Sequence, residues 1–304
     1  MQNAGIEALN LDWRYLAFEV HPTQLRAAIE GARAMKFIGL NLTVPHKLLA
    51  LEMVDVLDER AKIWGAVNTI VFETRDKNRN WIPIANVSAE EISEIRSHGF
   101  NTDADAIVQS IQEDFSWKDL QGANVLLLGA GGAARATALR LAQEGVGKLF
   151  LVNRTEEKAG QVAVEIKTHF PNVQIQITVH NHNKERELQA TLLRNFPGVN
   201  LLVGYPNDPV DLVINATSLG LRDSDPLPVD LKWLQTRRPK FVYDMIYRPA
   251  ETAFLRAAKS FGCRTANGLG MLLYQGAKAL ELWSGKPAPV AIMRAALEKN
   301  VYGK

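Results

Sequence analysis

The sequence contains a single cysteine in 304 residues, Cys263, and this scarcity excludes several kinds of site. One thiol cannot form an internal disulfide, and it cannot build a structural zinc site on cysteines. No apolar run approaches the roughly 20 residues that a membrane-spanning helix needs. The first residues, "MQNAGIEALNLDW", lack the basic start and the apolar centre of a secretory signal. These absences predict a cytoplasmic protein without a metal site.

The charge of the chain also excludes certain partners. The 35 basic and 33 acidic side chains give a formal net charge of +2. That balance is too even to favour nucleic acid or a membrane surface as a partner. The oligomeric state, monomer or homodimer, is left open by the sequence. A hydrophobic content of 47% is typical of a globular protein, and the length of 304 residues suits two domains.

Short β-branched and aromatic runs alternate with helical patterns, which predicts a parallel α/β architecture. In the first third, the predicted strands are "WRYLAFEV", "FIGLNLT" and "AVNTIVFE", with a short strand at "WIPIA". Helices are predicted for "PTQLRAAIEGARAMK" and "PHKLLALEMV", and the chain opens in an uncapped helix. "SAEEISEIRSHG" is also predicted to be helical, because Ser88 and Glu91 have capping-box spacing and Gly99 could stop the helix.

The middle of the chain begins with a strand, a glycine turn and a helix in "NVLLLGAGGAARATALRLAQEG". Gly129, Gly131 and Gly132 lie in this turn, where only glycine lets backbone amides approach a pyrophosphate closely. Arg135 stands where a third glycine or alanine is often found. A glycine pattern alone is weak, but the strand–turn–helix context favours a dinucleotide site. Strands and helices then alternate to "KFVYDMIY", and two helices end the chain.

The second strand of this region ends in "LVNRT", where an NAD-binding unit usually carries an acid. Asn153, Arg154 and Thr155 stand there instead, followed by Lys158. A cation attracts a ribose 2′-phosphate, whereas an acid repels it. The pattern therefore predicts NADP rather than NAD, although Thr155 could also simply cap the next helix.

Polar residues follow several predicted strands of the first third. Taken singly, Lys47 suits a solvated helix start, Asn68 a turn amide, Asp103 a helix N-cap and Gln275 an exposed helix face. Lys47, Asn68 and Asp103 nevertheless recur at strand ends in one domain, and a glycine turn follows in the next. Ligands bind beyond the carboxyl ends of strands in such sheets, so the joint pattern favours a binding site.

The ordered motifs "NLTVPHK", "GAVNT", "GFNTD", "GAGGAARA", "NRT", "INATSLGL", "YDMIYRPAET" and "NGLGMLLYQGAKALELWSG" resemble those of the shikimate dehydrogenases. They span almost the whole chain. The resemblance implies a substrate domain over residues 1–103, completed by C-terminal helices over 267–304 that pack back on it. It implies a Rossmann-like NADP-binding domain over 104–266. The implied activity interconverts the small molecules shikimate and 3-dehydroshikimate in chorismate and aromatic amino acid biosynthesis.

The resemblance also assigns site residues by position. Lys47 matches the catalytic lysine, which would donate a proton to a forming alkoxide, and Asp103 matches its partner. Substrate positions correspond to Thr43, Asn68, Tyr247 and Gln275. Asn68 and Gln275 would fix hydroxyls, since amides both donate and accept hydrogen bonds. The cofactor positions correspond to Gly129, Ala130, Gly131, Gly132, Ala133, Asn153, Arg154, Thr155, Lys158, Thr217, Ser218, Met245, Gly268 and Met271.

The chain departs from the family pattern in three places. It begins within the family's first helix, so we expect it to lack the preceding strand and the Ser-x-Ser loop that holds the substrate carboxylate. The stretch over 76–99 is longer than usual, and so is the stretch around "HNHNKERELQATLLRNFPGVN".

Three other functions fit parts of the sequence. Quinate differs from shikimate mainly in ring saturation and one hydroxyl, so a broader quinate/shikimate dehydrogenase is one alternative. A glutamyl-tRNA reductase would need a nucleophilic cysteine in its first domain, whereas Cys263 follows the "AAKSFG" helix and is expected in the core. A non-catalytic NADP-binding relative is the third, and the presence of Lys47, Asp103, Asn68 and Gln275 argues against it.

Overall fold

The computed structural model describes residues 1–179 and 199–303. The chain divides into two compact units, one formed by Met1–Ala106 with Leu272–Lys304 and the other by Ile107–Met271. Within the described ranges, no helix is both long enough and apolar enough to cross a membrane.

The first unit contains a mixed five-stranded sheet with the order β1-β3-β5-β2, and β4 lies beside β3. The strands are β1 Gly39–Asn41, β2 Val56–Leu57, β3 Thr69–Arg75, β4 Trp81–Pro83 and β5 Ile95–Phe100. β3 pairs antiparallel with β1, β4 and β5, and β2 pairs parallel with β5. The predicted parallel architecture is therefore wrong for this unit. The turn over 76–80 returns the chain as a hairpin, and a hairpin can join only antiparallel strands.

The amino-terminal part of the first unit contributes four α-helices. They are α1 Gln2–Ala8, α2 Leu25–Ala34, α3 His46–Leu49 and α4 Glu59–Trp64. Helix α1 starts without a side-chain cap, as predicted. Helix α2 buries Leu25, Ile29 and Ala32, which repeat at helical spacing and pack against Phe72 of β3 and its neighbours. The sequence pattern did not predict strand β2 or helix α4.

The predicted strand "WRYLAFEV" is absent, because residues 11–20 have no regular secondary structure. Aromatic and branched residues favour a strand, but a strand also needs a neighbouring backbone to pair with. The segment is held mainly by hydrogen bonds to side chains. Asn3 Nδ2 donates to the Tyr15 carbonyl at 3.0 Å, and the Tyr15 amide donates to Asn3 Oδ1 at 2.8 Å. His46 Nε2 is hydrogen-bonded to the carbonyl of Val20 at 2.9 Å. Leu16 and Phe18 are 65% and 64% exposed.

The predicted helix "SAEEISEIRSHG" is also wrong, because its second half forms strand β5. One bond of the predicted capping box does form, since the amide of Ser88 donates to the Glu91 carboxylate at 3.3 Å. The chain then turns and pairs residue by residue with β3, from Ile95 opposite Thr74 to Phe100 opposite Thr69. The stabilisation from a complete ladder of backbone hydrogen bonds between β5 and β3 exceeds that from a single local capping bond.

The second unit contains a seven-stranded parallel sheet in the order β12-β11-β10-β6-β7-β8-β9. Its strands are β6 Asn124–Leu128, β7 Lys148–Val152, β8 Gln174–Val179, β9 Asn200–Val203, β10 Leu212–Asn215, β11 Phe241–Asp244 and β12 Arg264–Asn267. The parallel prediction is confirmed here. The long stretch around "HNHNKERELQATLLRNFPGVN" lies almost wholly outside the described residues. Cys263 is buried in the core with Phe150 and Val242, as expected.

Among the described residues, seven further α-helices lie mainly in the second unit or in the C-terminal part of the first unit. They are α5 Asp103–Phe115, α6 Gly132–Gln143, α7 Glu156–His169, α8 Leu231–Arg237, α9 Ala253–Ser260, α10 Leu269–Ser284 and α11 Val290–Tyr302. Trp283 of α10 packs with Val71 of β3 and donates to the carbonyl of Ile70 at 3.0 Å. Helix α11 contacts α1. The C-terminal helices thus return to the first domain, as predicted.

Candidate active site

Lys47 and Asp103 form an ion pair in the first unit, with Nζ 2.7 Å from Oδ2. Lys47 lies in α3, which follows the end of β1, and Asp103 begins α5 directly after β5. Their side chains are 26% and 17% exposed, so the pair is sheltered but accessible to a small molecule. An ammonium held this way can donate a proton and stabilise a developing negative charge.

The amino-terminal cap of α5 comes from Asn101 rather than from Asp103. The Oδ1 atom of Asn101 accepts hydrogen bonds from the amides of Asp103 (3.0 Å) and Ala104 (3.4 Å). The carboxylate of Asp103 is therefore not needed as a cap. The N-cap role considered for Asp103 thus belongs to Asn101, and the carboxylate is directed to Lys47.

Asn68 is fully buried at the start of β3 and belongs to a polar network. Its Oδ1 atom accepts from the Thr102 amide (2.8 Å) and the Thr69 hydroxyl (3.1 Å). Its Nδ2 atom donates one hydrogen to Thr102 Oγ1 at 3.0 Å. The acceptor oxygen of Asn68 is thus occupied within the protein.

The same network reaches the backbone of Gln275 and includes four residues that the resemblance did not assign to the site: Tyr15, Asn41, Thr69 and Thr102. Thr102 Oγ1 donates to the backbone carbonyl of Gln275 at 3.0 Å. Tyr15 donates to Asn41 Oδ1 at 3.0 Å, and Asn41 Nδ2 donates to Thr69 Oγ1 at 3.0 Å. Asn41, Thr69 and Thr102 lie inside the motifs "NLT", "VNT" and "NTD", so polar residues within each motif were the available signal.

The remaining substrate candidates lie at different places. Thr43 is exposed in the turn between β1 and α3, and its carbonyl accepts the His46 amide at 2.8 Å. Gln275 is half-buried on α10 and donates from Nε2 to the carbonyl of Leu272 at 2.9 Å. Tyr247 is half-buried after β11 and belongs to the second unit, whereas Thr43, Asn68 and Gln275 belong to the first.

The glycine turn lies in the second unit between β6 and α6. Gly129 has a φ of +114°, and a Cβ atom there would lie 3.1 Å from the Ala216 carbonyl oxygen, so both the backbone and the space require glycine. Gly131 and Gly132 are exposed with open space around them. Because the first amides of α6 have no acceptor within the helix, they can bind phosphate oxygens, as can the backbone of Ala130 and Ala133. Arg135 forms an ion pair with Glu165 of α7.

The end of β7 presents the residues predicted to select NADP. Arg154, Thr155 and Lys158 are exposed, and Asn153 donates to the carbonyl of Thr155 at 2.6 Å. Thr155 occupies the N-cap position of α7 but forms no side-chain cap bond, so its hydroxyl is not used as a cap. Glu156 and Glu157 occupy the first turn of α7, where acids stabilise the helix dipole.

The other cofactor candidates follow the neighbouring strands of the same sheet. Thr217 and Ser218 follow β10, Met245 follows β11, and Gly268 and Met271 follow β12. Strands β6, β10, β11 and β12 are parallel neighbours, so the loops after them share one edge of the sheet. Dinucleotides bind at this edge of doubly wound sheets, and the glycine turn and exposed cations fit an NADP phosphate group. Within the described ranges, no three histidine, cysteine or acidic side chains cluster to hold a metal ion.

Three family models match the sequence. One, described as the shikimate dehydrogenase substrate binding domain, matches residues 1–70. A second, shikimate / quinate 5-dehydrogenase, matches residues 109–189, and a third, the shikimate 5'-dehydrogenase C-terminal domain, matches residues 268–298.

Individual proteins are similar over nearly the whole chain. Shikimate dehydrogenase (NADP(+)) of Desulforamulus reducens is 37% identical over 302 residues, which cover 99% of this chain and 90% of that protein. The crystal structure of shikimate 5-dehydrogenase from Thermus thermophilus in complex with NADP(H) and shikimate is 28% identical, with a TM-score of 0.71 over 98% of this chain and 92% of that one. The ligand-free 5-ketofructose reductase of Gluconobacter sp. strain CHM43 is 30% identical, with a TM-score of 0.75 over 98% and 92%.

Proposed function

The chain belongs to the shikimate dehydrogenase family, and we propose that it interconverts shikimate and 3-dehydroshikimate with NADP as the hydride carrier. The reaction belongs to the biosynthesis of chorismate and the aromatic amino acids. The observation that carries the proposal is the Lys47–Asp103 ion pair at 2.7 Å, which lies beside buried amides and hydroxyls suited to a polyhydroxylated ring. In this proposal residues 1–103 and 267–304 form the substrate domain, and residues 104–266 form the NADP domain.

Lys47 is proposed as the proton donor for ketone reduction. NADPH, when bound, supplies the hydride to the carbonyl carbon. The carbonyl oxygen then gains negative charge, and the Lys47 ammonium stabilises that charge and delivers the proton that completes the hydroxyl. Asp103 holds the ammonium in place through the bond to its Oδ2 atom. In the oxidative direction Lys47 accepts the hydroxyl proton instead.

The other candidate residues bind and orient the two small molecules. Asn68 donates an N–H of its side-chain amide to a substrate oxygen, and Thr43, Gln275 and Tyr247 contribute further polar contacts to the ring. Gly129 to Ala133 hold the pyrophosphate, and Asn153, Arg154, Thr155 and Lys158 hold the 2′-phosphate end. Thr217, Ser218, Met245, Gly268 and Met271 complete the proposed cofactor site. We propose a cytoplasmic enzyme, a monomer or homodimer, that needs no bound metal.

A quinate/shikimate dehydrogenase of broader specificity is the second candidate, because a family model that matches residues 109–189 is described for both substrates. A third candidate is a relative that binds NADP without turnover. The Lys47–Asp103 pair favours a catalytic protein over this last possibility.

The decisive experiment measures the formation of NADPH or NADH during oxidation of shikimate and of quinate, and the consumption of NADPH or NADH during reduction of 5-ketofructose. Turnover with shikimate and NADP should exceed that with every other pair. Faster turnover of quinate would establish the broader enzyme, and faster turnover of 5-ketofructose would place the chain with the reductase. NADPH binding without turnover of any of the three would mark a non-catalytic protein.

A further inference from the structure

Asp244 is a fully buried carboxylate at the carboxyl end of β11. Its oxygens accept three hydrogen bonds, from Thr252 Oγ1 (2.6 Å), Asn215 Nδ2 (3.0 Å) and the Ile246 amide (3.1 Å). Within the described ranges, no lysine, arginine or histidine pairs with it. Burial raises the pKa of Asp244, and the three hydrogen bonds act against that rise. Hydrogen-bond donors are what make a buried carboxylate tolerable in such a place.

The first donor, Asn215, ties the carboxylate to the loop after β10. Its Nδ2 atom donates to Asp244 and to the Leu219 carbonyl (3.0 Å). Its Oδ1 atom accepts from both the amide (3.1 Å) and the hydroxyl (2.7 Å) of Thr217. Each end of the Asn215 amide thus faces partners of the opposite kind, which fixes its orientation. Thr217 is held at the end of this chain of bonds.

The second donor, the Ile246 amide, ties the same carboxylate to the turn after β11. Met245 lies between Asp244 and Ile246 and is held on its own account as well, since its amide donates to the Asn215 carbonyl at 2.9 Å. Gly268 approaches this turn so closely that a Cβ atom on it would lie 2.0 Å from the Met245 carbonyl oxygen. The positions of Met245 and Gly268 therefore depend on the turn that Asp244 holds.

The third donor, Thr252, serves a different purpose. Its hydroxyl oxygen also accepts the Leu255 amide at 3.3 Å, so Thr252 caps α9. Among the hydrogen bonds of the described residues, the Thr252 hydroxyl contacts only Asp244 and the Leu255 amide. Two of the three hydrogen bonds of the carboxylate therefore lead to the proposed cofactor loops, through Asn215 and Ile246. The third leads to the start of a helix, through Thr252.

We propose that Asp244 and Asn215 are a positioning pair for NADP. They fix the position of Thr217 and of the contact between Met245 and Gly268, and they do not themselves touch the cofactor. The inference rests on the proposed cofactor site, because Thr217, Met245 and Gly268 were assigned there. A carboxylate suits the task because it accepts from all three donors, whereas an amide would turn a donor toward one of them.

The test measures NADPH binding directly, by cofactor fluorescence or calorimetry, in the full chain. Asp244→Ala and Asn215→Ala should each raise the Kd for NADPH by about 10- to 100-fold, as loss of buried polar contacts would. The double variant should be little worse than either single one, because the two residues act as one unit. The KM for NADP should rise while kcat at saturating NADP and the KM for shikimate change little.

Two controls separate positioning from folding. Thr252→Val should lower the unfolding temperature without weakening NADPH binding. Asp211→Asn alters a carboxylate at the opposite end of β10, where it accepts the Asn124 amide at 2.9 Å, and should leave NADPH binding unchanged. If Asp244→Ala does not fold, the comparison of Asn215→Ala with Thr252→Val decides.

An unchanged Kd in Asn215→Ala, or equal weakening by Thr252→Val, overturns the proposal. Additive effects in the double variant overturn it as well. Failure of the proposed function would look different, since the wild-type chain would then bind NADPH but not oxidise shikimate.

Discussion

The side chain of Asp103 can meet Lys47 because a neighbour performs the local task expected of it. An aspartate at a helix start usually caps the helix, and here Asn101 caps α5 through two backbone amides. Both oxygens of Asp103 are thereby available for longer-range bonds, and Oδ2 is used by the Lys47 ammonium. At the scale of single residues, Asp103 can pair with a distant lysine because Asn101 supplies the helix cap.

Replacement of Lys47 by alanine should abolish turnover and leave NADPH binding near normal. The variant removes the proposed proton donor from the first unit, while the glycine turn and exposed cations of the second unit are untouched. Steady-state rates and cofactor fluorescence measure the two effects. Lys62→Ala is the matched control, since Lys62 also pairs with a carboxylate (Glu59, 2.6 Å) but lies exposed on α4. Retention of most activity in Lys47→Ala would remove the lysine from the mechanism.

Replacement of Arg154 by alanine should narrow the preference for NADP over NAD by about 10- to 100-fold, the effect of a lost charge-assisted contact worth roughly 1.5–3 kcal/mol. The ratio of kcat/KM for the two cofactors measures the change. Arg237→Ala, which removes an exposed arginine from the end of α8, should leave the ratio unaltered. An unchanged ratio in Arg154→Ala would assign the 2′-phosphate to other residues.

Glu73 makes the stability of the first unit depend on pH. Burial raises the pKa of Glu73, but bonds and charge from His98 and Arg96 lower it more, so the carboxyl pKa lies below its usual value. Arg96 Nε lies 2.7 Å and His98 Nδ1 lies 3.1 Å from the carboxylate oxygens. A lowered pKa means that the unfolded chain binds the proton more readily. The ionised Glu73 carboxylate therefore contributes fully to the free energy of unfolding at pH values above the ordinary glutamate pKa. This contribution is lost progressively as the pH falls below about 4.3.

The variant Glu73→Gln should lose about 1–3 kcal/mol of stability near neutral pH, because charge-assisted bonds in a sheltered site are removed. Its stability should also fall less steeply than that of the wild type on acidification. Urea unfolding at a series of pH values measures both changes. Glu94→Gln alters a carboxylate that is 65% exposed and should follow the wild-type curve. If the free energy of unfolding of Glu73→Gln fell with acidification as steeply as that of the wild type, other groups would be responsible for the pH dependence.

At the scale of elements, the strands of the first unit depend on partners that are distant in sequence. The segment Ser88–Gly99 carries a helix signal and makes one capping bond, yet β5 forms because β3 offers a full ladder. Trp13–Val20 carries a strand signal and forms no strand among the described residues. Propensity and capping are local contributions of about 1 kcal/mol, so the available partner decides the outcome.

Gly39 shows the same dependence through packing. A Cβ atom at Gly39 would lie 2.1 Å from Trp283 Nε1 and 2.4 Å from the Ile70 carbonyl oxygen, the two groups that are bonded to each other. Gly39→Ala should therefore displace the indole and lower stability by about 2–4 kcal/mol, through overpacking and a lost buried bond. The shift in the urea midpoint measures this loss.

Gly31→Ala is the control for Gly39→Ala. Gly31 lies inside α2, and nothing lies within 4 Å of the position that an alanine methyl group would take, so alanine should stabilise the helix by about 0.5–1 kcal/mol. The two substitutions are chemically identical and should act in opposite directions. Similar effects from both would mean that Trp283 can move away from β1 at little cost.

At the scale of the whole molecule, the two units have separate proposed tasks. The candidate cofactor residues lie in Ile107–Met271, and the Lys47–Asp103 pair with its amide network lies in the other unit. The fold of each unit is consistent with its part, since the wholly parallel sheet offers the edge at which dinucleotides bind. The mixed sheet places β-strand ends and helix starts around Lys47.

NADP should raise the unfolding temperature of the full chain more than NAD does at equal concentration. A ligand present at about 100 times its Kd stabilises the folded state by about 2.7 kcal/mol. With an unfolding entropy of about 2.1 cal/mol/K per residue, this corresponds to a shift of about 4 °C for 304 residues, which a thermal-shift assay resolves. The difference between NADP and NAD should shrink in Arg154→Ala. An equal or larger shift with NAD would contradict the cofactor assignment.

The sequence by itself determined the parallel sheet of the second unit, the glycine turn and the family. Apolar strands, Gly129 and the "NRT" stretch are contiguous features, and their meaning depends on neighbours a few residues away. The lysine and the aspartate of the candidate active site could also be selected in advance, because their motifs recur in a fixed order.

Only the tertiary structure decided the mixed sheet, the cap by Asn101, the occupied oxygen of Asn68 and the Asp244–Asn215 pair. Each depends on which strands become neighbours: Asn68 meets Thr102 across 34 residues, and Asn215 meets Asp244 across 29. Hydrogen bonds form within about 3 Å, a distance that sequence separation does not constrain until the strands are paired. The polar atoms left available to a ligand are therefore a property of the folded chain.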